Sequence, residues 1–115
     1  MPDILRNPVI QTGTTLVFSH FDTDGPMWTD TGPRVVRRTV RFETPFTSVP
    51  SVQVSVSLWD VETSSNLRLE VLAEDVTEEG LVIVAKTWDD SRIARLGASW
   101  IAIGEGVDPD AWDLD

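Results

Sequence analysis

The chain has 115 residues, 41% of them apolar, a formal net charge of -10 and no cysteine. That size fits one domain with one core, and the missing cysteines exclude a disulfide framework or a thiolate metal site. The acidic balance argues against nucleic acid as a partner, because neutralising phosphates needs an excess of Lys and Arg, and it argues equally against an anionic membrane surface.

Residues 1–12 read as an N-terminal arm. The opening Met1-Pro2-Asp3-Ile4-Leu5-Arg6 lacks a basic-then-apolar signal pattern, and no apolar run approaches membrane-spanning length. No membrane insertion is expected, which leaves the cytoplasm or export by a non-classical route. A short first strand is expected over Thr14–Ser19. Next, His20-Phe21-Asp22-Thr23-Asp24-Gly25 sets a His and two Asp at alternate positions. Oxygen-rich loops of this kind can hold calcium, but Pro33 stands where an EF-hand loop needs its closing glutamate. The stretch therefore reads as a turn, with no metal and no cofactor.

Arg34–Phe42 alternates loosely, with Val40 and Phe42 as the inward pair. Its Arg34, Arg37, Arg38 and Arg41 read as a polar strand face pairing with acids of a neighbouring chain, rather than as a phosphate site. Val52–Trp59 alternates cleanly, setting Val52, Val54, Val56 and Leu58 against Gln53, Ser55, Ser57 and Trp59. Leu67–Glu74 repeats the pattern. Leu81–Trp88 is apolar on both faces, so it is expected to be central or to lie at a subunit contact. Gly97–Ile103 sets Ala98, Trp100 and Ala102 on one face. Pro45 with Pro50, Val61–Asn66, Glu78-Glu79-Gly80 and Asp89-Asp90-Ser91 supply the turns. Six short strands with short links predict an all-β fold, a six-stranded antiparallel β-sandwich or flattened barrel, over residues 13–107. Residues 108–115 read as an acidic C-terminal tail carrying Trp112 and Leu114, removable without unfolding the domain.

In an up-and-down arrangement, the strands at 52–59 and 81–88 end where those at 34–42, 67–74 and 95–103 begin. Arg68 then falls opposite Trp88 or Asp89. The same rim collects Trp28, Asp30, Asp60 and the Val61–Asn66 loop.

At these residues the sequence resembles the H-type lectin domain family. The carrying segments are Val40-Arg41-Phe42 with Pro45-Phe46, Pro50-Ser51-Val52, Trp59-Asp60-Val61-Glu62 and Asn66-Leu67-Arg68. They continue with Asp75-Val76-Thr77 and Gly80, Thr87-Trp88-Asp89-Asp90-Ser91, and Ser99-Trp100-Ile101-Ala102. The resemblance runs from about residue 28 to 103. It implies an H-type lectin-like sandwich that assembles as a homotrimer or a multiple of it and binds galactose-type sugars, often N-acetylgalactosamine, on cell-surface glycans. It also implies sugar contacts for Arg68 and Trp88, and one for the acidic residue upstream of the second strand, for which Asp30 is the nearest match. Two positions depart from the family. Asp89 stands where the snail proteins often have His, and Ala94 stands where a neighbouring chain would supply an aromatic.

A sugar needs an apolar wall for its C–H face and acceptors and donors for its hydroxyls. Asp30, Arg68, Trp88 and Asp89 make such a set. The plain structural alternative is a rim salt bridge between Arg68 and Asp89, with Trp88 packed on a neighbour. Trp100 reads as core and Trp28 as a loop anchor, while Trp59 fits either a site wall or a subunit contact. Catalysis has little support, because His20 is the only histidine and no nucleophile elbow, phosphate loop or metalloprotease helix is present. The expectation is a carbohydrate-binding lectin and not an enzyme. The alternative is a structural or docking module that keeps the fold without the sugar, in a larger particle or appendage.

Overall fold

The computed structural model describes residues 5–107, so the expected tail at 108–115 lies outside the described residues. Six strands form: β1 (Pro8–Ser19), β2 (Arg34–Arg41), β3 (Ser51–Val61), β4 (Glu70–Glu74), β5 (Gly80–Thr87) and β6 (Ile93–Glu105). Two single-turn helices, α1 (His20–Thr23) and α2 (Pro26–Thr29), fill the link between β1 and β2. The strands make two three-stranded antiparallel sheets, ordered β1-β6-β3 and β2-β5-β4.

This is not an up-and-down order. Only β4 and β5 are neighbours both in sequence and in a sheet; every other pairing crosses between distant segments. The strand directions nonetheless agree with expectation. Arg34 pairs with Thr87, Glu70 with Lys86 and Val61 with Ile93. The ends of β3 and β5 therefore share one rim with the starts of β2, β4 and β6.

Alternation built the core as expected on the central strands. Ala98, Trp100 and Ala102 of β6 face Leu81, Ile83 and Ala85 of β5, all nearly or fully buried. Phe42 packs edge-on to Phe46 at 5.0 Å and against Trp100 at 5.5 Å, closing the far end. The second apolar face of β5 is explained within one chain. Val84 lies in register between Arg37 and Leu72 and is fully buried. An ion pair from Arg37 Nη1 to Glu74 Oε2 (3.4 Å) spans the strand over it. Arg37 thus finds an acid within its own chain.

Two further readings change. Residues 8–12, read as part of an arm, extend β1, pairing Pro8 with Glu105 through to Thr12 with Ile101. Their polarity conceals the strand, since Gln11 occupies an inward position while Ile10 stands outward, 64% exposed. On β3, Val52 and Val54 pack on the core, but Val56 and Leu58 are exposed. A register shift between Val56 and Leu58 interrupts the alternation. The facing strand β4 is also only 5 residues long, so this stretch of β3 overhangs an open cleft with Leu67, Leu69 and Val71.

Arg34 departs furthest from its sequence reading. It points inward, 9% exposed, and its guanidinium donates only to backbone carbonyls. Nε bonds Gly32 O (2.8 Å), and Nη2 bonds Asp89 O (3.2 Å). Nη1 reaches Asp30 O (2.9 Å), Ser91 O (2.8 Å), and Pro26 O and Met27 O (both 3.3 Å). One side chain therefore ties the α1–α2 link to the loop after β5. Burial lowers its proton affinity below the usual guanidinium value, with nearby Asp30 opposing that shift and Arg92 adding to it.

Replacing Arg34 by Met is expected to cost roughly 3–5 kcal/mol, because several buried carbonyls lose charged donors at once. A urea denaturation midpoint measures this. Arg34→Lys should recover less than half, since an ammonium lacks the planar fork that serves two loops. At the far end, a Cβ on Gly80 would collide with the carbonyl oxygen of Val40 across the ladder. Backbone cannot step aside as a side chain can, so Gly80→Ala should cost about 1–3 kcal/mol in the same assay.

Candidate functional site

The rim that gathers the strand ends positions Arg68 first. Residues 67–69 were expected to be strand, but regular pairing starts only at Glu70. Hydroxyls replace the ladder there. The Arg68 N–H donates to Ser91 Oγ (2.8 Å), while the Thr87 hydroxyl donates to the Arg68 carbonyl. The Ser91 hydroxyl donates in turn to the Asn66 carbonyl. Ser91 and Thr87 are themselves buried, so the backbone of Arg68 is fixed from below. Its side chain stays at the surface.

Trp88 follows Thr87 out of β5, on the outward side and 40% exposed. Asp89 then takes the left-handed backbone region, φ 57°, which short polar Asp tolerates better than a branched residue. That bend accompanies an ion pair from Asp89 Oδ2 to Arg68 Nε at 3.0 Å. The pair is surface-exposed, 42% at Arg68 and 65% at Asp89, so it adds little stability. It does fix orientation. Among the described residues, the two terminal nitrogens of Arg68 donate to nothing within the chain.

Asp30 caps the C-terminal end of α2, with its carboxylate exposed. Its loop joins the same rim through backbone rather than side-chain contacts. The Asp30 carbonyl is held by Arg34 Nη1, and the Gly32 N–H donates to Asp89 O at 2.8 Å. Gly32 sits at φ 80°, where a glycine is the natural choice. The structure thus brings Arg68, Trp88 and Asp89 together and sets the Asp30 loop beside them, with no contact between the Asp30 carboxylate and Arg68.

Other candidates lie apart. Asp60 pairs with Arg95 Nη2 at 3.1 Å. Trp59, 57% exposed, lines the β3–β4 cleft. Trp28 packs edge-on to Phe21 at 5.6 Å as a loop anchor, and Trp100 is core. His20 Nδ1 accepts the Met27 N–H at 3.1 Å, so the ring locks the α1–α2 turn, and burial lowers its pKa. Ala94 is buried, 3% exposed, within its own subunit.

Three residues escaped the sequence reading: Arg34, Thr87 and Ser91. Thr87 carried a usable signal, since it continues the inward positions Ile83 and Ala85, where a hydroxyl demands a partner. The chemistry of the rim is non-covalent. It offers an oriented guanidinium fork, an indole face and carboxylates.

Comparison with known proteins agrees with this architecture. The H-type lectin domain family matches residues 37–103. The chain is 43% identical over 106 residues to the "ATP synthase subunits region ORF 7" protein of Fuscovulum blasticum, covering 92% of each. It is 28% identical to discoidin-2 of Dictyostelium discoideum over 84% of this chain, spanning 36% of that protein's length. The solved structure of discoidin II superposes with a TM-score of 0.77 and 25% identity, over 90% of this chain and 40% of that one. An R1-type pyocin tail fibre shares the fold alone, with a TM-score of 0.53 at 20% identity, over 84% of this chain and 70% of that one. Sequence and fold together show that the chain belongs to the H-type lectin domain family, a lectin-like carbohydrate-binding module rather than an enzyme.

Proposed function

We propose that each subunit binds a galactose-type hexose on glycans at the rim formed by Asp30, Arg68, Trp88 and Asp89. One observation carries the reading. Asp89 approaches Arg68 at Nε, and among the described residues neither terminal nitrogen of that exposed guanidinium makes a hydrogen bond, while the next residue to Asp89 is the exposed Trp88. A guanidinium in that state donates to two adjacent hydroxyls, and the indole covers the C–H face of the ring. Asp30 supplies an acceptor from the neighbouring loop. In this arrangement Asp89 positions Arg68 as well as adding an acceptor, and it brings no donor of the kind a histidine would.

A single shallow rim gives weak binding, of order millimolar or about 4 kcal/mol. Function then rests on several sites meeting one glycosylated surface, where avidity multiplies affinity by roughly a hundredfold or more. A homotrimer supplies those sites. Its contact surface is the outer face of the β1-β6-β3 sheet, where Ile10 and Ile103 are ladder partners, 64% and 40% exposed, with Ile101 nearby at 44%. Exposed branched apolar side chains in register are the material of a subunit interface.

A glycan array on purified protein, followed by titration of the best ligand, tests the site. Arg68→Ala should abolish binding while shifting the melting temperature by no more than about 2 °C, since only an exposed pair is lost. Undiminished binding by that variant would place the site elsewhere, and a blank array would favour the docking-module reading. Light scattering at micromolar concentration should give three times the mass of one chain, and Ile103→Asp should reduce it to a monomer.

A further inference from the structure

We propose that the outer face of the β2-β5-β4 sheet, directly below the Trp88 rim, is a second subsite that takes the next sugar of a glycan whose terminal residue sits at Arg68. The inference rests on the hexose-binding reading of the rim. It begins from strand register. Val35 pairs with Lys86, and Lys86 pairs with Glu70, so these three side chains form one row across the sheet. Two residues further along each chain, past the ends of these ladders, stand Pro33, Trp88 and Arg68 at the rim. A strand rises about 3.4 Å per residue, so the rows lie roughly 7 Å apart. A ligand held at the upper row meets the lower one next.

The surface between the rows is concave. Pro33, Val35, Glu70, Lys86 and Trp88 line a cleft of about 350 Å³ whose floor includes Thr87. Its walls divide by chemistry. Pro33, Val35 (50% exposed) and Trp88 present apolar surface suited to the C–H face of a pyranose. Lys86 offers three donors and Glu70 an acceptor, which suits a neutral sugar bearing several hydroxyls.

The state of these two charges separates this row from the others on the sheet. One row further down, Arg37 closes an ion pair with Glu74 across β5, and at the rim Arg68 closes one with Asp89. Lys86 and Glu70 are direct cross-strand partners of opposite charge, yet among the described residues neither side chain joins an ion pair or a hydrogen bond. Both remain available to the cleft. Lys86 is also the only lysine in the chain, in a protein of net charge -10. The opposite charges of the row cancel, so the subsite selects a neutral residue over an acidic one.

The sole lysine makes the test direct. Reductive methylation with an isotope-labelled reagent marks Lys86 and the chain N-terminus, whose signals separate by chemical shift. The full chain is titrated with methyl galactoside and N-acetylgalactosamine, then with lactose, N-acetyllactosamine, galactosyl-N-acetylgalactosamine and every array-positive oligosaccharide. Affinities are measured on unmethylated protein by calorimetry. At least one oligosaccharide should bind roughly tenfold tighter than its own terminal monosaccharide and move the Lys86 methyl signal, which the monosaccharide leaves in place. Lys86→Ala with Glu70→Ala should remove that tenfold advantage while keeping monosaccharide affinity within about twofold of the parent, since neither side chain contacts the rim pair. Oligosaccharides that bind no tighter than their terminal sugars and leave Lys86 unmoved would overturn the subsite while the rim reading stands. If no sugar binds, or Arg68→Ala binds as the parent does, the rim reading itself fails and the subsite falls with it.

Discussion

The guanidinium of Arg34 is the contact on which the rim depends. Six carbonyl oxygens from two loops converge on it, and neither loop has a regular ladder of its own. A carbonyl turned inward without a donor is costly, and a buried cation without acceptors costs more. Each problem here is the solution to the other. The α1–α2 link and the turn after β5 owe their relative position to that exchange, and the same two loops carry Asp30, Trp88 and Asp89. The fixed geometry of the fork matters as much as its charge, since its planar donors point in several set directions at once.

A second layer of fixation runs through neutral hydroxyls. Thr87 and Ser91 lie on either side of the exposed Trp88-Asp89-Asp90 bend, and both face the interior. From there they grip the main chain at Asn66 and Arg68. The exposed side chains of the rim therefore stand on a buried polar scaffold.

Most of the fold was legible because period-2 alternation follows burial on central strands. Ala98, Trp100 and Ala102 announce their face, and the doubly apolar β5 announces a central place. Legibility fails where a strand stands at an edge. There the inward positions need not be apolar, as with Gln11 on β1, and a register shift can interrupt the pattern, as after Val56 on β3. The rim was legible in part. Strand directions place Arg68 beside Asp89 even though the neighbours in each sheet differ from an up-and-down order. Arg34 was misread for a physical reason. A charged residue in a basic run is normally solvated, and the sequence does not reveal that the preceding loop folds back to offer it four carbonyls while two more arrive from Asp89 and Ser91.

The sheet order carries a kinetic consequence. Strand β6 is the centre of one sheet, bonded to β1 on one side and β3 on the other, and it is the last strand described. The partners of Pro8 and Ser51 are Glu105 and Ile103. On a ribosome, β1 and β3 emerge as two edges with no strand between them, and they wait until the far end of the domain has been made. Contacts of such long sequence separation fold slowly and leave strand edges exposed in the interval.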